Sequence, residues 1–289
     1  MDRRNAMLLA GTAAAAVVAM LTTAAVVRPL GPPEARLTAP PALTTSVATT
    51  ATAAPPEDAG QGVPTAAELA GLVPGELSVL VHDRRTGRDL VSHRPDAAYP
   101  AASLVKLLIA LEALRRGEPA GVVAELLSRS DDEVAGRLWT KLGGPAIVTG
   151  WAARIGLTST RPPEDPGKWG GTVVTAADVA RVYRYLLDTA PAATRQIVLR
   201  ALGNAAPRSS DGSDQLYGIA AAVTATGRAV NQGWSCCDPD RHLHTSGVVG
   251  DGRFVVVVLT AQPAGTSRAS AAQRVTAVVK ALSGAFGWS

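Results

Sequence analysis

The apolar positions of the chain fall into three regimes. Behind Arg3 and Arg4, residues 5–27 carry no charge and are dominated by Ala, Val, Leu and Met, which predicts an export leader. The run is longer than an ordinary signal core and just long enough to span a bilayer. A cleaved signal peptide and a retained N-terminal membrane anchor both stay open for residues 1–27. Thr22-Thr23-Ala24-Ala25 offers small residues for cleavage without a clean Ala-x-Ala, and the run has no cysteine for a lipid anchor. The leading arginines hold the N-terminus inside, so the remainder is extracytoplasmic, either secreted or tied to the plasma membrane. Residues 28–64 are rich in Pro, Ala and Thr with no apolar period, and read as a disordered linker that supplies reach.

From residue 65 onward the pattern becomes periodic. Thr65-Ala66-Ala67-Glu68 predicts a capping box. Residues 76–83 alternate as a strand, Arg84-Arg85-Thr86-Gly87 turns, and residues 89–92 return. From Leu104 to Leu114 nearly every residue is Leu, Ile, Val or Ala, so this helix is apolar all round and belongs in the middle of the core. Further helices are predicted within 117–130, at 132–142 with a Gly143-Gly144 stop, and at 146–155 closed by Gly156. Residues 157–174 form a long Pro/Gly-rich loop, which points to function or looseness. Thr175 then caps a helix to about Leu187, and residues 193–202 form another. Three strands follow at 226–234, 241–249 and 254–260, the last two joined by a Gly250-Asp251-Gly252 hairpin turn. A helix at 267–284 ends the chain. Two strands, a helical block, three strands and a helix make an α+β domain over 65–289. It should hold a five-stranded antiparallel sheet flanked by terminal helices, plus an all-helical subdomain.

Composition sharpens this only in places. With 47% apolar residues and 4% aromatic, the core should be aliphatic. The net charge of +4 is modest and its arginines are scattered, which argues against a nucleic-acid surface. Cys236 and Cys237 are adjacent, and with His242 and His244 they imitate a metal cluster. Neighbouring cysteines seldom reach one ion together, so a bridge or free thiols at the sheet edge is the better reading, with no metal. Trp139, Trp151 and Trp169 read as packing for the helical block.

The candidate chemistry sits at the mouth of the apolar helix. Ser103 and Lys106 lie three residues apart, one turn apart on one face, beside free helix N–H groups. Of the 28 basic residues only Lys106, Lys141, Lys168 and Lys280 are lysines. A buried lysine can give up its proton and act as a base, whereas arginine cannot.

Together, Tyr99–Lys106, Ser128–Asp132 and Asn231–Trp234 resemble the three motifs of the class A β-lactamase and DD-peptidase family: Ser-x-x-Lys, Ser-Asp-Asn and Lys-Thr-Gly. The resemblance runs from about Leu77 to Trp288. It is nearer to an actinobacterial exported serine-hydrolase subgroup than to a drug-resistance β-lactamase. It implies a nucleophile at Ser103, a base at Lys106 and a proton relay at Ser130, with no cofactor. Asp132, Asn231, Gln232, Gly233 and Trp234 would form the substrate and oxyanion wall, the backbone N–H groups of Ser103 and Trp234 receiving the oxyanion. The implied substrate is a β-lactam or a peptidoglycan-related amide or ester, taken by a monomer.

Two departures bear on activity. Asp132 stands where the family has asparagine, and Asn231-Gln232-Gly233 replaces Lys-Thr-Gly, so each swap makes the cleft one charge more negative. An anionic substrate is less welcome there. Glu164 in the long loop is the candidate deacylating base, although Arg161-Pro162-Pro163-Glu164-Asp165-Pro166 does not reproduce the family's Glu-x-x-x-Asn pattern. The alternative from another class is a catalytically silent member of the fold that binds peptidoglycan or a protein partner.

Overall fold

The computed structural model describes residues 62–288, so the leader and the linker up to residue 61 lie outside the described part. Helix α1 (Ala66–Gly71) opens on the expected capping box between Thr65 and Glu68. Strands β1 (Glu76–Asp83) and β2 (Arg88–His93) form the first hairpin. A short strand β3 (Tyr99–Pro100) leads through a 3-10 turn (Ala102–Val105) into helix α2 (Lys106–Arg115). Helices α3 (Ala120–Ser128), α4 (Asp132–Leu142) and α5 (Pro145–Ile155) follow. After the long loop come β4 (Val173–Val174), α6 (Ala176–Arg184), a π turn (Tyr185–Thr189), α7 (Ala192–Gly203) and α8 (Ile219–Ala222). Strands β5 (Ala229–Ser235), β6 (Arg241–Val249) and β7 (Phe254–Gln262) precede the last helix, α9 (Arg268–Phe286).

The five long strands make one antiparallel sheet in the order β2-β1-β7-β6-β5, as the element order implies. β7 is central, so the N-terminal hairpin is zipped onto the C-terminal strands by pairing between distant parts of the chain. Its run of apolar residues follows from cover on both faces. Val255, Val257 and Leu259 join the core of the helical block, whereas Val256 and Val258 join the core under the terminal helices. Helix α2 is buried from Lys106 to Ala113 and lies among α3, α4, α5 and α7, the central position its all-round apolarity requires.

Three local features differ from the sequence pattern. The Ser103 segment starts as a 3-10 turn rather than as regular helix. The β3–β4 ribbon, two residues on each side, is too short to show a period. The helix opened by Thr175 widens into a π turn at Tyr185.

One ion pair locks the hairpin ends together. Asp83, 1% exposed, accepts two hydrogen bonds from the Arg253 guanidinium at 3.0 and 2.8 Å and one from the Arg85 N–H at 2.9 Å. The bond from Arg253 pulls the Asp83 carboxyl down to about 2 from an ordinary 3.8. A lowered folded-state pKa means stabilisation that is complete above about pH 4 and lost as the pH falls through about 2. In urea unfolding, Asp83→Asn should cost about 2 kcal/mol at neutral pH. The gap from the native protein should close toward pH 2; a gap that persists there would assign the residue a packing role instead.

Candidate active site

The site is built on a turn clamped from two sides. The Ala101 N–H donates to Thr172 O at 2.6 Å, joining the turn to the end of the long loop. His244 is fully buried on β6, with Nε2 2.9 Å from Pro100 O and Nδ1 3.2 Å from the Thr260 N–H. The ring therefore accepts at Nδ1 and donates at Nε2, which makes it the neutral tautomer. Burial, then the neighbouring His242, pushes its pKa down to about 3. The turn bends sharply: Ala102 has φ +46°, a value shared by Ser130 across the site. Left-handed backbone at a non-glycine residue costs roughly 1 kcal/mol or more, and these two residues flank the same lysine.

That lysine is the hub. Lys106 is fully buried, with Nζ 3.0 Å from Ser103 Oγ, 2.9 Å from Ser130 Oγ, 2.7 Å from Ser130 O and 2.5 Å from Asp132 Oδ1. Burial pulls its pKa below the ordinary lysine value, while the Asp132 hydrogen bond and charge, then Asp131 and Asp211, push the other way. Ser130 reaches it from the corner between α3 and α4. Asp131 caps α4 by accepting from the Val134 N–H at 2.9 Å, which leaves Asp132, the first residue of that helix, aimed at the amine. The sequence pattern assigns Asp132 to the substrate; in the structure its carboxylate meets Lys106.

The third segment divides by strand alternation. Asn231 and Gly233 face the Ser103 turn. Asn231 Nδ2 donates to Leu104 O at 3.3 Å, and a Cβ on Gly233 would lie 3.0 Å from Ala101 O and 3.1 Å from Leu104 Cγ. Glycine there lets β5 close on the turn. Gln232 and Trp234 face the other way. The Gln232 amide donates to Gln215 O at 3.0 Å and Tyr217 O at 2.7 Å, so its side chain pins a loop and does not join the serine. The Trp234 ring carries the Arg268 guanidinium 5.0 Å from its centroid, beside α9; only the strand backbone passes the turn.

Sequence reasoning missed Asp211. The loop between α7 and α8 lies along the second motif, with Ala206 N–H on Ser128 O at 2.8 Å and Ser210 N–H on Arg129 O at 2.9 Å. Burial would raise the Asp211 pKa, but bonds from Ser209, Ser213 and the Trp234 side chain hold it low. Its charge reaches Lys106, so the amine is set among Asp131, Asp132 and Asp211. A serine-rich loop with two aspartates, Asp211 and Asp214, gives no sequence signal for this placement.

The long loop brings a tryptophan rather than a carboxylate. Glu164 is exposed, whereas the Trp169 ring lies with its centroid 4.9 Å from Lys106 Nζ. Trp139 and Trp151 pack in the helical core and the partly buried Trp169 packs against it, as expected; the Trp169 ring also forms part of the site wall. Its position in Trp169-Gly170-Gly171 was the available clue: Gly170 backs directly on Ala102, where an added Cβ would sit 3.6 Å from Cα. The loop is anchored by Asp178, which accepts from the Thr158, Ser159 and Thr160 N–H groups at 3.2, 2.8 and 2.7 Å and pairs with Arg181 at 2.6 Å. Asp178→Asn should destabilise the protein by about 2–4 kcal/mol. It should also speed amide hydrogen exchange across 158–174; unchanged exchange there would show that the loop is held by its other contacts.

Cys236 and Cys237 form a disulfide with each other at the end of β5. Among the described residues no group of three or more His, Cys, Asp or Glu is arranged to hold a metal, and no helix is long and apolar enough to cross a membrane.

With sheet, helical block and serine–lysine cluster in place, the fold is that of the class A β-lactamases. The class A enzyme from Mycobacterium abscessus superposes with a TM-score of 0.62 at 22% identity, over 77% of this chain and 100% of that one. An ancestral class A β-lactamase gives 0.61 at 23%, over 76% and 98%. No protein-family model matches the chain. A Mycobacterium tuberculosis protein named "Putative lipoprotein LppW" is 37% identical over 227 residues, 73% of this chain and 71% of that protein, and its Mycobacterium bovis counterpart matches equally. The chain belongs to the LppW family.

Proposed function

We propose that this protein is an exported serine acyl-transfer enzyme. Ser103 Oγ attacks the carbonyl of an amide or ester, Lys106 takes its proton, and Ser130 passes a proton to the departing nitrogen or oxygen. The carbonyl carbon gains a bond to Oγ and loses its bond to the leaving group. The N–H groups of Ser103 and Trp234 receive the oxyanion, roughly a few kcal/mol per donor. The observation that carries this reading is the buried Lys106 amine 3.0 Å from Ser103 Oγ and 2.9 Å from Ser130 Oγ, the arrangement an activated serine needs.

The surroundings qualify the substrate. Asn231 stands where the resemblance calls for a cation, and Asp131, Asp132 and Asp211 surround the one lysine. A neutral or cationic acyl donor suits that field better than an anionic β-lactam or a free peptide carboxylate. With Glu164 exposed and Trp169 against Lys106, no loop carboxylate supports deacylation, so the acyl-enzyme should persist. The leader and the name of the mycobacterial relative support export.

The full chain, treated with a fluorophosphonate or a penicillin and followed by intact mass, should gain one adduct that Ser103→Ala abolishes. Fluorophosphonate should label faster than the anionic penicillin, and the penicilloyl adduct should decay slowly. Asn231→Lys should speed penicilloylation by about tenfold; no gain would sink the charge argument. The second reading, a silent binder, is favoured by the Lys106–Asp132 ion pair, which opposes loss of the amine's proton. A folded protein that takes no adduct from either reagent would select it.

A further inference from the structure

Asp132 makes a contact that an asparagine would also make, yet it adds a charge that an asparagine would not. Its Oδ1 lies 2.5 Å from Lys106 Nζ, and the lysine side chain is 1% exposed against 52% for the aspartate. The remaining neighbours of the amine are the Ser103 and Ser130 oxygens, the Trp169 ring, and the more remote charges of Asp131 on the same helix start and Asp211 on the loop after α7. Among the described charged groups only Asp132 gives Lys106 both a hydrogen bond and a full opposite charge at contact.

We propose, resting on the reading of Ser103 as nucleophile, that Asp132 is a positioning residue for Lys106. Its carboxylate holds Nζ between the two serine hydroxyls and stabilises the ammonium formed when the Ser103 proton arrives. In that step the Ser103 O–H bond breaks, an N–H bond forms at Nζ, and the oxygen electron pair enters the new C–O bond. Positive charge then appears beside a carboxylate already in place, so little reorganisation is needed. Burial alone would leave the lysine a weaker base; the adjacent anion offsets part of that loss.

The charge can be removed while shape and hydrogen-bonding capacity are kept, in Asp132→Asn. With four lysines in the chain, the Lys106 side-chain NMR signal of the full-length protein can be assigned and titrated directly. The native amine should titrate about one pH unit or more above that of Asp132→Asn. Asp132→Glu, which keeps the charge, should stay near the native value. The fluorophosphonate labelling rate of Ser103 should follow: in Asp132→Asn its acid limb moves to lower pH and its alkaline plateau falls. A Lys106 titration unchanged in Asp132→Asn, or an acid limb that does not move with it, would overturn the positioning role. A titration that shifts as expected in a native protein that never labels at Ser103 would instead overturn the enzymatic reading and leave the charge coupling standing.

Discussion

A primary amine at the centre of a protein dictates what must surround it. Removing the Lys106 charge from water costs several kcal/mol unless oxygen partners replace the lost hydration. Those partners come from separate parts of the chain: Ser103 from the turn before α2, Ser130 from the corner before α4, Asp132 from the first residue of that helix. Meeting this demand ties the helical block together at one point. The left-handed backbone at Ala102 and Ser130 is the local strain that goes with it. Strand β5 then closes the site by approaching the turn at Gly233, where a side chain would press on Ala101 and Leu104.

The same cluster separates fold from function. The class A architecture brings serine, lysine and a second serine together, but the field around them is this chain's own. Asn231 replaces a cation, Asp132 and Asp211 add anions, and the Trp169 ring covers the lysine from the long loop. A fold hosts many chemistries by changing such surroundings. Here the changes alter the charge and the shape of the space around Ser103. The Ser103–Lys106 pair itself is kept.

Much of this was legible in advance. The boundaries of α4 follow from Asp131 as cap and Gly143 as a left-handed stop, both local preferences of short segments. The all-round apolarity of α2 announced a central helix, the three motifs led to the fold, and the structure brings their serines and lysine together. Gln232 and Glu164 were assigned by motif position alone. Strand alternation turns the first toward Tyr217, and the path of a Pro-rich loop leaves the second in solvent.

The sequence by itself determined the elements, the class of sheet and the residues able to act as nucleophile and base. Helix caps, glycine stops, apolar periods and residue chemistry are properties of a few neighbouring positions. Only the tertiary structure decided that β7 is the central strand, that Asp132 meets the lysine, and that Asp211 and Trp169 share its pocket. Each of these is a meeting of segments far apart in the chain, set by how two cores pack against the two faces of one sheet, and no local pattern encodes it.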